Sequence, residues 1–413
     1  MIQAVRPAPV QQHGAMEFTE PPVNLDEIRL YRLRRVRAEL EKHDYAAIVL
    51  YDPINIRYAT DVANMQVWCM HNENRYVFVP ADGPVVLFEI DGCSHLTKGM
   101  PTVDEIRSAQ AWYFFNVGPR YPEIAELWAD EIADLTRIHG AGNRRVAVDR
   151  AGYTGLKALA NRGIEIRDGF EIMEQARVIK SPEEISLMRC AINVCEAGMD
   201  AMYAVLEPGI TENALWSKLH ETNIARGGEW IETRLLASGP RTNPWFRECS
   251  TREIQAGDLV VFDTDLVGPY GYCADISRGW VCGNDAPNDE QRRLHELAVE
   301  QIEHNIELFR AGATFREVSD KAWPIPGPYL EYRYSGLAHG IGLCDEYPCI
   351  WGRIDWEGVG YDGVIEPGMV FCVESYIGEV GGKEGMKLEQ QILVTDDNPE
   401  LLSIYPLDLQ PVR

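Results

Sequence analysis

Residues 261–280 read VFDTDLVGPYGYCADISRGW, and the fold turns on them. The apolar run from Leu259 to Phe262 has the pattern of a strand, and it delivers Asp263 and Asp265 two positions apart. Residues i and i+2 of a strand share a face, so these two carboxylates are predicted to point the same way. Gly268-Pro269 and Gly271 then mark a turn, and a second strand brings Asp275 back beside them. Carboxylates crowded like this repel unless they are protonated or bridged by cations. The hairpin therefore points to bound metal, with a solvated acidic turn as the plainer alternative.

Three residues further along favour metal. His339 lies in AHGIG beside a Gly-rich turn, Glu374 in PGMVFCVES and Glu389 in KLEQQILVT. Each glutamate sits in or beside an apolar strand-like run, where an unpaired charge is costly.

Moving back from the hairpin, Ser181-Pro182-Glu183-Glu184 combines an N-cap serine, proline at the first helical position and a glutamate that closes a capping box. The helix it opens carries Ile185, Met188, Ile192, Met199 and Met202, a stripe read as core packing. Pro208-Gly209 ends that helix and Thr211 caps another, running to Ala225. A domain boundary therefore falls near Lys180. Ahead of it, helical spacing from Leu25 to His43, a buried-strand run Ala46–Leu50, a hairpin around Ala81-Asp82-Gly83 and further strand and helix alternation to Gly169 make an α/β domain. Residues 1–24, Pro-rich and polar, read as a flexible arm. Beyond the hairpin, a long amphipathic helix runs from Asn288 to Phe309, and 323–363 reads as a turn-rich region holding Tyr334, Asp345 and Glu346.

At 413 residues the chain can bury a substantial core in two domains, 1–180 and 181–413. A formal net charge of -25 argues against nucleic acid or an anionic membrane as partners, since phosphate binding needs basic surface. The ten cysteines show no CxxC pair, and neither a signal-type N-terminal segment nor a membrane-length apolar run is present, so a reduced cytoplasmic protein is expected.

Asp263/Asp265, Asp275, His339, Glu374 and Glu389, in this order and with these flanks, resemble the dinuclear metal site of the pita-bread superfamily, which includes creatinase, prolidase, Xaa-Pro aminopeptidase and methionine aminopeptidase. The resemblance implies an α/β (α+β) chain: a creatinase-like N-terminal domain, then a pita-bread catalytic domain. It also implies two divalent metal ions and a homodimer in which one subunit's first domain borders the other's active site, with Trp68 and Trp112 as candidate contributors.

The departures from the peptidase pattern are informative. Asp263 to Asp275 is one position longer than the family's usual spacing, and Asp265 to Asp275 one shorter, so either aspartate can take the first ligand position. Ser238-Gly239-Pro240 leads to Pro244-Trp245 where peptidases show Pro-His, and HGIGL leads to Cys344-Asp345-Glu346 where they show a second histidine. These segments are similar to the branch of DddP-type dimethylsulfoniopropionate (DMSP) lyases, which cleave DMSP to dimethyl sulfide and acrylate. By that resemblance Asp345 is the base, with Tyr334 as hydrogen-bond partner or second candidate. An exposed Trp245 would face the sulfonium, since cation–π contacts contribute roughly 0.5 to 2 kcal/mol. Asp345 as a turn cap, Tyr334 as a structural phenol and Trp245 as packing stay open. One imidazole and several carboxylates form a hard donor set, for which the resemblance puts iron first, with manganese, cobalt or zinc as alternatives. A Xaa-Pro-type metallopeptidase with a divergent pocket is the competing activity. A metal-free binding module is the competing class.

Overall fold

The computed structural model describes residues 23–284 and 286–409, and the backbone of 411–412. The arm expected over 1–24 therefore lies outside the described residues except for Val23 and Asn24, and Asn24 caps the helix Leu25–Lys42.

Strands β1 (Ala47–Leu50), β2 (Tyr76–Pro80), β3 (Val86–Glu89), β4 (Glu105–Ser108), β5 (Arg145–Val148) and β6 (Glu165–Asp168) form one mixed sheet in the order β4-β3-β2-β1-β5-β6. β2 and β3 are the expected hairpin. Central β1 is buried on both faces, which explains its unbroken apolar run. Ala47 and Val49 join one core with Trp112 and Trp128, under the helix Tyr121–His139. Ile48 and Leu50 turn to the other face, where the helices Leu25–Lys42 and Phe170–Arg177 pack. That second core continues without a break into the helix Pro182–Val205. This helix begins where the capping box predicts, with Ser181 Oγ and Glu184 each meeting the other's backbone N–H. All five residues of its predicted stripe are buried.

The second half of the chain is organised by β15 (Val370–Gly378) and β16 (Gly385–Leu393), an antiparallel pair buried along almost its whole length. β15 also pairs with β13 (Gly336–Ile341), which pairs in turn with β14 (Asp345–Trp351). The region read as turn-rich thus holds two strands, and His339 sits within β13 rather than beside a turn. β9 (Leu259–Phe262) and β12 (Arg278–Cys282) pair at the root of the carboxylate hairpin, with β8 (Leu236–Ser238) on the other side of β9, and β10 (Leu266–Val267) and β11 (Cys273–Ala274) pair nearer its tip, with β7 (Trp230–Ile231) on the other side of β10. Gly271 turns the chain there with φ +76; any Cβ would lie 2.1 Å from the Arg57 guanidinium, which forks onto Glu229 from the first domain.

Candidate metal centre

β9 ends at Phe262, so pleat alternation does not align Asp263 with Asp265. Asp263 leaves the strand end, and Asp265 adopts a left-handed backbone (φ 38) whose N–H meets Asp275 Oδ1 at 3.2 Å. This is a correction to the expected strand geometry; the convergence itself holds, because ligand atoms of Asp263, Asp265 and Asp275 lie within 4.8 Å of one another. Across β15 and β16, Glu374 and Glu389 are direct cross-strand partners. Like charges in that position are destabilising without a counter-ion. His339 Nε2 approaches Glu374 Oε1 (3.3 Å), Glu389 Oε1 (3.6 Å) and Asp275 Oδ2 (3.7 Å). The structure thus brings all six expected ligands together.

Two observations show that the cluster fits a cation. His339 Nδ1 lies 3.0 Å from the Gly340 carbonyl, which holds the ring so that Nε2 is the nitrogen aimed at the carboxylate oxygens and the one that would bind a metal ion. Glu389 Oε1, moreover, is buried and accepts no hydrogen bond, a costly state that a metal ion would relieve. Burial, then Asp263, pushes Asp265 up to about 8, and burial raises Asp263 and Asp275 as well.

Sequence reasoning missed Lys387. Two positions before Glu389 on β16, it is fully buried, and its ammonium reaches Glu389 Oε2 (2.9 Å), Asp263 Oδ2 (3.1 Å) and Glu374 Oε2. The Ser277 hydroxyl accepts from Lys387 Nζ (2.8 Å) and donates to Asp263 Oδ1 (2.6 Å). A lysine between Met386 and Leu388, on the same face as Glu389 by strand alternation, was the available signal.

Two cavities open onto the cluster, of about 590 and 360 Å³, and share Phe246, Tyr334, His339, Asp345 and Glu374 as wall. The smaller is acidic, with Asp263, Asp265 and Asp275; the larger is rich in aromatics, with Tyr347, Trp351 and Tyr361, and also meets Glu174, Arg333 and Glu346. Asp345 Oδ1 stands 3.6 Å from His339 Nδ1, and its side chain stays 59% accessible within the cleft. Enclosure by the cleft raises its carboxyl, while His339 pulls it down. Burial, then Glu374, drives the Tyr334 phenol far up, so that it remains protonated at neutral pH.

Trp245 does not reach this space. It is 6% exposed, packs in the core against Tyr376 and lines neither cavity. This corrects the expectation of an exposed tryptophan: its neighbour Phe246, 63% exposed, turns outward instead and lies against Tyr334. Trp112 is likewise a core residue, donating to the Tyr51 hydroxyl, whereas Trp68 is 41% exposed.

Beside Asp345, Glu346 is anchored to the first domain. Its carboxylate takes Arg177 Nε (3.2 Å), Lys180 Nζ (2.9 Å) and the Leu343 N–H (3.0 Å), and Gly342 leaves the space it fills, since a Cβ there would meet it at 2.6 Å.

The family model of metallopeptidase family M24 matches residues 186–396, and that of the creatinase/prolidase N-terminal domain matches 32–179. A dimethylsulfoniopropionate lyase DddP of Roseovarius nubinhibens is 42% identical over 390 residues, covering 93% of this chain and 87% of the relative. A Xaa-Pro dipeptidase of Pyrococcus furiosus is 28% identical over 240 residues, 56% of this chain and 65% of the relative. Among solved structures, a Xaa-Pro dipeptidase from Bacillus anthracis superposes with a TM-score of 0.75 over 93% of this chain and 99% of its own, at 21% identity.

Proposed function

The chain belongs to metallopeptidase family M24, with a creatinase/prolidase N-terminal domain before the pita-bread domain, and from that premise we propose that it is a lyase cleaving DMSP to dimethyl sulfide and acrylate. The observation that carries this reading is Asp345 on the seam between an acidic cavity and one rich in aromatics. DMSP has matching ends, a carboxylate and a sulfonium two carbons apart. Were Asp263, Asp265 and Asp275 to hold divalent ions, the carboxylate would be drawn to that end, and the sulfonium would fall among the faces of Phe246, Tyr334 and Trp351, where cation–π attraction holds it. Phe246 takes the part first expected of Trp245.

Asp345 then removes a proton from the carbon next to the carboxylate. The electron pair of that C–H bond forms the C=C bond of acrylate, and the C–S bond breaks with its pair leaving on dimethyl sulfide. A raised carboxyl is the stronger base. Tyr334, held protonated, donates a hydrogen bond rather than accepting the proton. Two divalent ions, iron first and manganese, cobalt or zinc otherwise, would be held by Asp263, Asp265, Asp275, His339, Glu374 and Glu389 and would supply Lewis-acid stabilisation of charge developing on the substrate carboxylate.

The accessible Asp345 also favours a homodimer, in which a second copy closes the cleft, with Trp68 as the contributor from the first domain. A cytoplasmic setting fits the free cysteines and the lack, among the described residues, of a helix long and apolar enough to cross a membrane.

The deciding experiment offers purified, metal-loaded protein DMSP and an X-Pro dipeptide in parallel. Headspace dimethyl sulfide without free proline is the expected result. Proline without dimethyl sulfide makes the protein a peptidase and ends the lyase reading.

A further inference from the structure

The six ligands do not account for everything at the centre of this site. Lys387 is as deeply buried as the carboxylates and pairs with three of them at once, Asp263, Glu374 and Glu389. It is also fixed from outside the cluster, by Ser277 Oγ at 2.8 Å and by the face of Tyr334, whose ring centre is 5.2 Å from the ammonium. Its stem runs along a strand whose Met386 and Leu388 are core residues, so the head has no other place to go.

The charges give this placement a meaning. Asp263, Asp265, Asp275, Glu374 and Glu389 carry five negative charges when ionised, and two divalent ions supply four positive ones. One negative charge is left over in a poorly screened interior, where it would repel an incoming carboxylate. We propose that Lys387 is a charge-balancing specificity residue: its ammonium brings the metal-loaded cluster to neutrality and so lets the site accept an anionic carboxylate ligand. This inference rests on the reading that the site takes two divalent ions and a substrate with a carboxylate end. It assigns Lys387 no proton transfer and no contact with metal.

The test compares wild type with Lys387→Met, Lys387→Gln and Lys387→Arg, each loaded with manganese(II). Metal per chain is measured by mass spectrometry and affinity for propionate, a carboxylate without a sulfonium, by titration calorimetry. The two neutral variants are expected to keep two ions per chain and to bind propionate roughly ten-fold or more weakly, because an uncompensated charge acts over a few ångströms. Lys387→Arg is expected to stay within about three-fold of wild type, since it keeps the charge. Unchanged propionate affinity in either neutral variant overturns the proposal. So does loss of metal or of fold in both while Lys387→Arg is intact, since Lys387 would then be a scaffold for the ligands. Propionate binding does not depend on turnover: a chain that releases no dimethyl sulfide but shows the expected series loses the lyase reading and keeps this inference.

Discussion

In the sheet β1–β6, buried Asp149 is surrounded by donors: the Tyr51 and Asp52 N–H groups at 2.7 and 3.1 Å and the Asn55 amide at 2.9 Å. Glu89 in the same domain is paired with Arg75 at 3.0 Å. Between β15 and β16, by contrast, Glu374 faces Glu389, and Asp263, Asp265 and Asp275 crowd the same space with Lys387 and His339 as the cationic side chains in contact. The first arrangement is complete within the polypeptide. The second sets acid against acid and leaves Glu389 Oε1 without a hydrogen bond, and that difference separates a structural acid from a candidate metal ligand.

The sharpest way to break the contrast is to remove a ligand. Glu389→Gln should lower metal content per chain and cut dimethyl sulfide release by about 10^4-fold, since several kcal/mol of Lewis-acid stabilisation are lost; full activity with unchanged metal content would mean that the cluster is ordinary packing. Next comes Asp345→Asn, which leaves all six ligands in place. Loss of a general base costs about 10^2- to 10^4-fold, so turnover should fall by that much with metal content unchanged, as single-turnover kinetics and elemental analysis on one sample can establish. Phe246→Ala should be milder. Losing one aromatic face contributes about 0.5 to 2 kcal/mol, raising KM for DMSP about 2- to 30-fold with little change in kcat; an equal effect on propionate binding would show that Phe246 does not meet the sulfonium end.

The smallest effect on activity belongs to the self-sufficient acid. Burial pushes Asp149 up to about 6 against the pull of its hydrogen-bond donors. An acid with a raised folded pKa takes up protons on folding, so its stabilising contribution is full below the unfolded value near 4 and is lost as pH rises to about 6. The loss is about 3 kcal/mol from a shift of about two units. Thermal melts should show stability falling across that window in wild type. Asp149→Asn, less stable throughout because it loses an acceptor, should be flat there and as active as wild type.

What the sequence made legible was local or rhythmic. Ser181 and Glu184 announce a helix start because a capping box needs only neighbouring residues, and Glu374 and Glu389 stand out because charge within an apolar strand demands a reason. Asp265 was misplaced because its left-handed backbone is set by pairing on either side of it, which no alternation rule contains. Trp245 is buried and its neighbour Phe246 exposed for a similar cause: which of two adjacent aromatics turns inward depends on Tyr376, more than a hundred residues away. Lys387 lay in plain view, but its importance comes from three acids contributed by three different strands or strand ends.

The grip of Arg177 and Lys180 on Glu346 bears on how this molecule can be divided. Both cations precede Ser181, so a fragment starting at that helix would carry every proposed ligand and the proposed base, yet would leave Glu346 only the Leu343 N–H of its three partners. Stranding a buried charge in this way costs about 3 to 5 kcal/mol, and the strain would fall on the residue next to Asp345. The two halves are therefore poor candidates for separate expression or for exchange with those of a distant cousin, unless the pieces are supplied together and dock.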